Sequence, residues 1–439
     1  MDVIDKIIEI EKTKDLFSYK DAQGLPLWDV LRYDIIKIIS ARTNPQSQSL
    51  GQRGKTTSFI KLFLVNIKLF LKLLFIPSKN VWIHSAPRNI NAQGVYFDKI
   101  AEAVITMLGA KAVVTETGIK SPNLYKTYPL PEFLFHAIYT RLLRPRLDEK
   151  YAYNLVQLLN DSFNQKVITV SELNKIYTHF MSSVATLDFV AKRVRPKKIV
   201  TSDGRYKAMF WVAKKYGIKT FLMQHSLMDS KDGTVCGTCP DREQGLFPDV
   251  LLTFGNYWGN YMKHLCDVVV IGNDYMVPSF TDVKSENKVL FISSMYQGRF
   301  LPSLVCEYAR RNPSVKIIYK LHANEFSKKQ KFIETFKDYQ NVTVYSQEYD
   351  LRQLISMSKL VVLISSTVFY EALTQKRPVA VWDHPEFSSL TRMHKGILNS
   401  HVFNTVEELE HIAKDCQFEG GGPTFYEPFN KDVAQQLLQ

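Results

Sequence analysis

Acidic residues are scarce in this chain relative to basic ones, cysteines are few, and no hydrophobic stretch runs unbroken for the length of a membrane span. Its 439 residues hold 43 Asp and Glu against 56 Lys and Arg, a formal charge of +13. A surplus of that size points to an anionic partner, whether nucleic acid, anionic lipid or a phosphorylated substrate. The five cysteines are scattered, and an odd number in a chain this long argues for a reducing compartment. Cys236-x-x-Cys239 lacks the second pair that a structural zinc site needs, and His264 and Cys266 follow at a spacing that does not complete one. No D-x-D occurs, so no metal and no bound cofactor is expected. GQRGKT at 51–56 has its glycines too close for a phosphate loop, and no strand precedes it. The opening MDVIDKIIEIEKTKDLF lacks the apolar core of a signal peptide, which gives a cytoplasmic expectation.

The most apolar stretch is 59–76, FIKLFLVNIKLFLKLLFI. A spanning helix needs about 20 residues with few charges, and here Lys61, Lys68 and Lys72 interrupt. Those lysines fall on one helical face with Val65, and Arg53, Lys55 and Lys79 add charge nearby. That is the pattern of a helix lying on an anionic membrane surface. A helix packed on the protein's own core has the same spacing. Residues 1–80 read as a helical lead-in, with Trp28, Leu31, Ile35 and Ile39 at helical spacing after Pro26 and a polar loop at 44–58.

The rest is globular, with 45% hydrophobic and 12% aromatic residues, and long enough for two domains. In residues 81–277 strands are expected at 81–85, 111–115, 198–202, 220–224, 250–254 and 268–271. Helices are expected at 96–108, through most of 133–195, and at 205–216 and 257–265. Residues 278–287 read as a linker. In residues 288–439 the alternation is more regular, with strands at 288–293, 315–321, 342–345, 360–364 and 378–382. Helices at 301–311, 326–337, 350–357 and 367–376 fall between them. Strand–helix alternation of this kind means a parallel, doubly wound α/β sheet, which binds ligands outside the carboxyl ends of its strands.

Three strand ends of the second domain carry polar residues: Ser293-Ser294, His322 with Asn324 and Glu325, and Ser365-Ser366-Thr367. The hydroxyls of the last group stand where a helix begins, a position that caps free N–H groups and attracts anions. Glu371 lies one turn further on, in reach of a sugar hydroxyl. His322 is of a type that donates to phosphate oxygens. The same residues also suit a capped βαβ unit and a structural histidine. In the first domain Ser202-Asp203-Gly204 ends one strand and Gln224-His225-Ser226 the next. Asp203 and His225 are therefore expected side by side, a carboxylate and an imidazole suited to removing a proton from an acceptor hydroxyl. Asp203 also suits a helix N-cap. Residues 227–247 read as a long polar lid. The basic run Lys192–Lys198 has no interleaved aromatics to stack bases, and no nucleic-acid partner is expected.

Together these motifs resemble the GT-B glycosyltransferases of bacterial surface-polysaccharide synthesis. The matching residues are Lys320-Leu321-His322, Asp350-Leu351, Ser365-Ser366 and Glu371-Ala372-Leu373 with Pro378. They are similar to motifs of the CDP-glycerol glycerophosphotransferase and capsule-synthesis families. The run from Gln224-His225 through Pro248-Asp249 to Phe254-Gly255 and Gly272-Asn273 is also similar to UDP-N-acetylglucosamine 2-epimerases. Ser202-Asp203-Gly204 and His322 echo motifs of bacterial sialyltransferases. Ala323, Ser226 and Ser202 depart from those patterns, standing where a proline, a glycine and an acid are usual. The resemblance implies two Rossmann-like domains facing a cleft, with donor phosphates on His322 and Ser365–Thr367 and the ribose on Glu371. It also implies inversion at the anomeric carbon.

The expected activity is transfer of a sugar from a CMP-, UDP- or CDP-linked donor to a glycan or lipid-linked glycan. Asp203 and His225 would be catalytic, on the inner face of the membrane. A 2-epimerase, a polyol-phosphate transferase and a basic nucleic-acid or lipid-binding protein are the alternatives.

Overall fold

The structure is a computed structural model describing residues 3–43, 59–87, 89–90, 93–118, 122–204, 206–225, 238–277, 287–294, 300–384, 391 and 394–439. The loop expected at 44–58, residues 278–286 of the linker expected at 278–287, Ser226 and Cys236 lie outside the described residues. The chain divides into two compact units. The first joins Met1–Thr253, Trp258–Gly272 and Phe429–Gln439; the second joins Phe254–Tyr257 and Asn273–Pro428.

The first unit opens with helices α1 (Val3–Thr13), α2 (Leu27–Thr43) and α3 (Phe59–Leu73). Strand β1 (Val81–Ser85) follows, then a small antiparallel pair, β2 (Asn89–Ile90) and β3 (Tyr96–Phe97). Next come α4 (Glu102–Leu108), β4 (Ala112–Thr117), β5 (Tyr128–Leu130) and α5 (Glu132–Ile138). Helices α6 (Glu149–Phe163) and α7 (Val170–Val194) lead to β6 (Lys198–Thr201), α8 (Lys207–Tyr216), β7 (Lys219–Met223), β8 (Val250–Thr253) and β9 (Asp267–Val270). The sheet runs β5-β4-β1-β6-β7-β8-β9 and every pairing is parallel. All five residues of β1 and all four of β8 are buried, as strands covered on both faces must be. The long α7 starts in a capping box, Thr169 with Glu172, which satisfies donors that the first turn leaves free.

The expected lead-in is not a separate piece. Trp28, Leu31, Ile35 and Ile39 are buried in one core with Val190, Ile199 and Leu222. Two buried ion pairs fix it there. Arg32 Nε lies 2.5 Å from Glu11 Oε1, which also accepts from Trp28 Nε1 at 2.9 Å. Lys207 Nζ donates to both Asp29 oxygens at 3.0 Å and to the Leu246 carbonyl at 2.9 Å. Buried charges are tolerated only when paired, so these contacts tie α1 and α2 to α8 and the segment around Leu246.

The second unit contains β10 (Lys288–Ile292), α9 (Leu301–Arg311), β11 (Lys316–Lys320), α10 (Lys329–Thr335) and β12 (Val342–Tyr345). It continues with α11 (Leu351–Met357), β13 (Leu360–Leu363), α12 (Val368–Thr374), β14 (Val379–Trp382), β15 (Ser400–Phe403) and the helix Val406–Asp415. Its parallel sheet runs β12-β11-β10-β13-β14-β15, the order of a doubly wound dinucleotide-type fold.

Three expectations need correction. Residues 257–265 hold only a 3₁₀ turn, Asn260–Met262. Gly259 before it has φ 77°, and a Cβ there would come within 2.9 Å of Val268 Cγ1, so the chain turns sharply where a helix was expected. The helix expected from 96 begins at Glu102, because Tyr96–Phe97 pair with Asn89–Ile90. The helix Lys431–Leu438 belongs to the first unit and not to the second, with Ala434 and Leu438 fully buried.

Candidate functional site

In each sheet the strand order reverses next to its first strand, and some of the candidate residues lie at those points, while His322 follows the neighbouring β11 and His225 follows β7. In the first unit the reversal lies between β1 and β6, followed by Ser85-Ala86 and by Ser202-Asp203. In the second it lies between β10 and β13, followed by Ser293-Ser294 and Ser365-Ser366-Thr367. Ligands of open α/β sheets bind at these reversals.

In the first unit a cavity of about 460 Å³ opens at the carboxyl ends of β1, β4 and β6. Asp203, His84, Thr117, Glu132, His179 and Tyr206 are among its polar lining, which also includes Asp34 and Lys207, and Val30, Ile176 and Phe180 are among the apolar walls. His84 is buried at the end of β1, its Nδ1 3.1 Å from Thr115 Oγ1 and its Nε2 3.3 Å from Thr117 Oγ1. Its ring stacks on Tyr206 with centroids 4.8 Å apart. Burial holds this imidazole down at about 4, against the pull of the Asp203 carboxylate. The Tyr206 hydroxyl donates to Glu132 Oε1, and Thr117 Oγ1 donates to the same oxygen at 3.4 Å. Burial raises the Glu132 carboxyl, partly offset by the Tyr206 bond, the charge of His179 and the Thr117 bond. Burial and Glu132 together push the Tyr206 phenol well up. A half-buried carboxylate, a neutral imidazole and a carboxyl with a raised value around one cavity form a set suited to moving a proton from a bound hydroxyl.

Asp98 holds this arrangement together. Its Oδ2 accepts from Ser85 Oγ at 3.1 Å, Ala86 N at 2.8 Å and Ser202 Oγ at 3.1 Å. Its Oδ1 accepts from Ile100 N at 3.0 Å and Ala101 N at 3.3 Å. One buried carboxylate thus ties the end of β1 to the residue preceding Asp203. His225 follows β7, the strand beside β6, but is not part of the cavity lining.

Sequence reasoning did not find Glu132, His84, Tyr206 or Asp98. His84 was legible only as one residue of a buried strand. Glu132 is the first residue of α5, just after the short β5, a place that no motif marks.

In the second unit His322 is exposed and starts a capping box. Its Nδ1 accepts from Asn324 N at 3.2 Å, and Glu325 Oε2 accepts from His322 N at 3.1 Å. A neutral imidazole that accepts at Nδ1 carries its proton on Nε2. The cap therefore leaves a donor on the other ring nitrogen, and the structural and binding readings of this residue are compatible. Glu325 is buried in that cap, and Asn324 is exposed. Ser293 is buried, its Oγ accepting from the Tyr319 hydroxyl at 3.2 Å, while Ser294 is half-buried. Ser365 and Ser366 are half-buried and Thr367 exposed; Ser366 Oγ accepts from Val368 N at 3.2 Å. Glu371 is half-buried on α12, and its charge reaches Arg352 and Tyr426.

Of the cysteine pair, Cys239 is buried and its Sγ donates to the Asp241 carbonyl at 3.2 Å. Among the described residues no group of three or more His, Cys, Asp or Glu is arranged to hold a metal ion. No helix among them is long and apolar enough to cross a membrane.

No curated protein matches the chain. Among solved structures it is similar to the UDP-GlcNAc 2-epimerase of Methanocaldococcus jannaschii, at 13% identity and TM-score 0.45 over 81% of this chain and 98% of that one. It is similar to the UDP-GlcNAc 2-epimerase of Neisseria meningitidis, at 12% and 0.43 over 75% and 89%. It is also similar to MurG of Acinetobacter baumannii, at 10% and 0.48 over 82% and 99%. In sequence, residues 283–396 match the family model described as capsule polysaccharide biosynthesis protein.

Proposed function

We propose that this chain is a nucleotide-sugar-dependent glycosyltransferase of surface-polysaccharide synthesis. The observation that carries the reading is a coincidence of position. The segment that matches the capsule polysaccharide biosynthesis family, 283–396, contains every donor-side candidate, and each follows or lies near a strand end of a doubly wound sheet. In this reading the second unit binds the donor. His322 Nε2 and the hydroxyls of Ser365, Ser366 and Thr367 hold the phosphates, with Ser293 and Ser294 beside them, and Glu371 accepts from the ribose. The first unit binds the acceptor glycan in its cavity. Asp203 takes the proton from the acceptor hydroxyl as the bond to the sugar forms and the nucleoside phosphate leaves. Glu132, held by Tyr206 and Thr117, orients the acceptor. No metal is assigned a part.

The test is a thermal-shift screen with CMP, CDP, UDP and GDP, free and as sugar conjugates. A nucleotide at about a hundred times its Kd stabilises its unit by about 2.7 kcal/mol, or roughly 5–10 °C for a unit of this size. Loss of one hydrogen bond to a charged phosphate in His322→Ala should weaken binding about tenfold. If no nucleotide raises the melting temperature, the reading fails; if one does so equally in His322→Ala, the donor site lies elsewhere.

A further inference from the structure

Helix α3 presents its apolar side outward. At about 100° per residue its surface divides into arcs. Asn66, Leu69 and Leu73, and Ile76 just past the helix end, face the interior and are at most 7% exposed. Phe70 turns toward α5 and α7, its ring 6.2 Å from Phe135 and 4.8 Å from Phe189. The opposite arc holds Ile60, Leu64 and Leu71, which are 69%, 60% and 51% exposed, and the turn that follows the helix adds Leu74 and Phe75, 40% and 85% exposed. Lys61, Lys68 and Lys72, all exposed, form a row along one border of that arc. The helix contains no Asp or Glu. Helix α5 packs along α3, and its continuation carries Leu142 and Leu143, 76% and 60% exposed, flanked by exposed Arg141, Arg144 and Arg146.

An amphipathic helix that packs on its own protein turns the apolar stripe inward. This one has two apolar sides and buries only one. We propose that the outer stripe of α3, with Leu142 and Leu143, docks on an anionic lipid bilayer surface. The leucines and Phe75 enter the acyl boundary while the lysine row reaches the phosphates beside it. Charge selects this occupant over a second copy of the chain. A two-fold dimer over the stripe would gather lysine rows from both copies around one patch, and α3 offers no carboxylate to pair with them. An anionic headgroup layer supplies that countercharge. The inference does not depend on the transferase reading, because none of these residues belongs to the candidate sites.

The test is flotation of the full chain with phosphatidylcholine vesicles, with and without phosphatidylglycerol, at low and high salt. Two variants are compared, L64D/L71D and K61E/K68E/K72E, alongside their melting temperatures and the solution mass of each chain. The wild type should float with phosphatidylglycerol vesicles and be released by salt. L64D/L71D should lose roughly tenfold or more in binding, and the triple reversal should lose the preference for anionic vesicles. All of these side chains are exposed, so folding should be unchanged; should one variant fail to fold, the other still decides. Failure of the wild type to bind anionic vesicles would overturn the proposal. So would wild-type binding by a folded variant, or a wild-type dimer that the aspartates split.

Discussion

Replacing Asp98 by Asn should unseat the loop that carries Asp203 while changing almost no volume. Asp98 is 2% exposed and faces donors on both oxygens: Ser85, Ala86 and Ser202 on one, Ile100 and Ala101 on the other. An asparagine must place its NH2 on one side. Facing Ile100 and Ala101 it meets two backbone N–H groups that cannot turn away; facing the other side it meets one N–H and two hydroxyls that can rotate. The second orientation is the less costly. It still loses three bonds to a charged acceptor, of which the hydroxyls recover part. With each such bond contributing about 1.5–3 kcal/mol, a net loss of about 2–4 kcal/mol follows. For a unit of about 280 residues that is a fall of roughly 4–16 °C in melting temperature. Ser85→Ala and Ser202→Ala each remove one of the five donors to Asp98 and should cost about 1.5 kcal/mol, the low end for one bond to a charged acceptor, because the carboxylate keeps the other four. The assay is thermal unfolding followed by circular dichroism, with sugar transfer measured well below the melting range. Transfer should fall more in Asp98→Asn than in either serine variant, because only the former disturbs both ends of the tie. A melting temperature within about 2 °C of wild type would show that Asp98 does not organise these strand ends.

Acid should destabilise both units over one window. The folded His84 value of about 4 lies below its ordinary 6.5, so the unfolded chain binds more protons in between; stability present above 6.5 is lost as the pH falls to 4, by about 3 kcal/mol. His394 in the second unit behaves alike: it stacks on Phe369, and neither ring nitrogen has a hydrogen-bond partner among the described residues. The raised carboxyl of Glu132 works in the opposite sense, contributing stability at low pH that is lost as the pH rises through it. A flatter unfolding profile between pH 6.5 and 4 in His84→Gln is therefore the readout, and an unchanged slope would refute the assignment. Asp203→Asn should abolish transfer with nucleotide binding intact, whereas Glu132→Gln should lower transfer mainly through a raised acceptor KM; the reverse pattern would exchange their roles.

Much of the fold is legible because parallel strands covered on both faces are written as apolar runs. Val361–Leu363 and Val250–Leu252 are fully buried and fall where the sequence places strands. The three-residue β5 and the strand Ser400–Phe403, only partly buried, carry no such run, and neither was expected. The helix Val406–Asp415 beside them was also missed, although Thr405 and Glu408 form a capping box at its start. The strand ends that carry the donor-side candidates were legible because polar residues there follow apolar runs. The rest of the first unit's cavity was not, because Glu132 and Tyr206 come together only through the packing of distant connections. For α3, spacing gave a lysine face but not which of two apolar sides turns inward; that is settled by neighbours such as Phe135 and Phe189.

The return of residues 429–439 to the first unit has a consequence for synthesis. Apart from Phe254–Tyr257, the second unit is one insert, bounded by Gly272/Asn273 and Pro428/Phe429. On the ribosome, the surface that receives Ala434 and Leu438 emerges long before those residues do, and it waits uncovered while the whole insert is made. The insert closes first, and the older unit is finished last. A nascent chain arrested anywhere between 273 and 428 would therefore expose an apolar seat beside a completed sheet, which is where a chaperone would be expected to hold it.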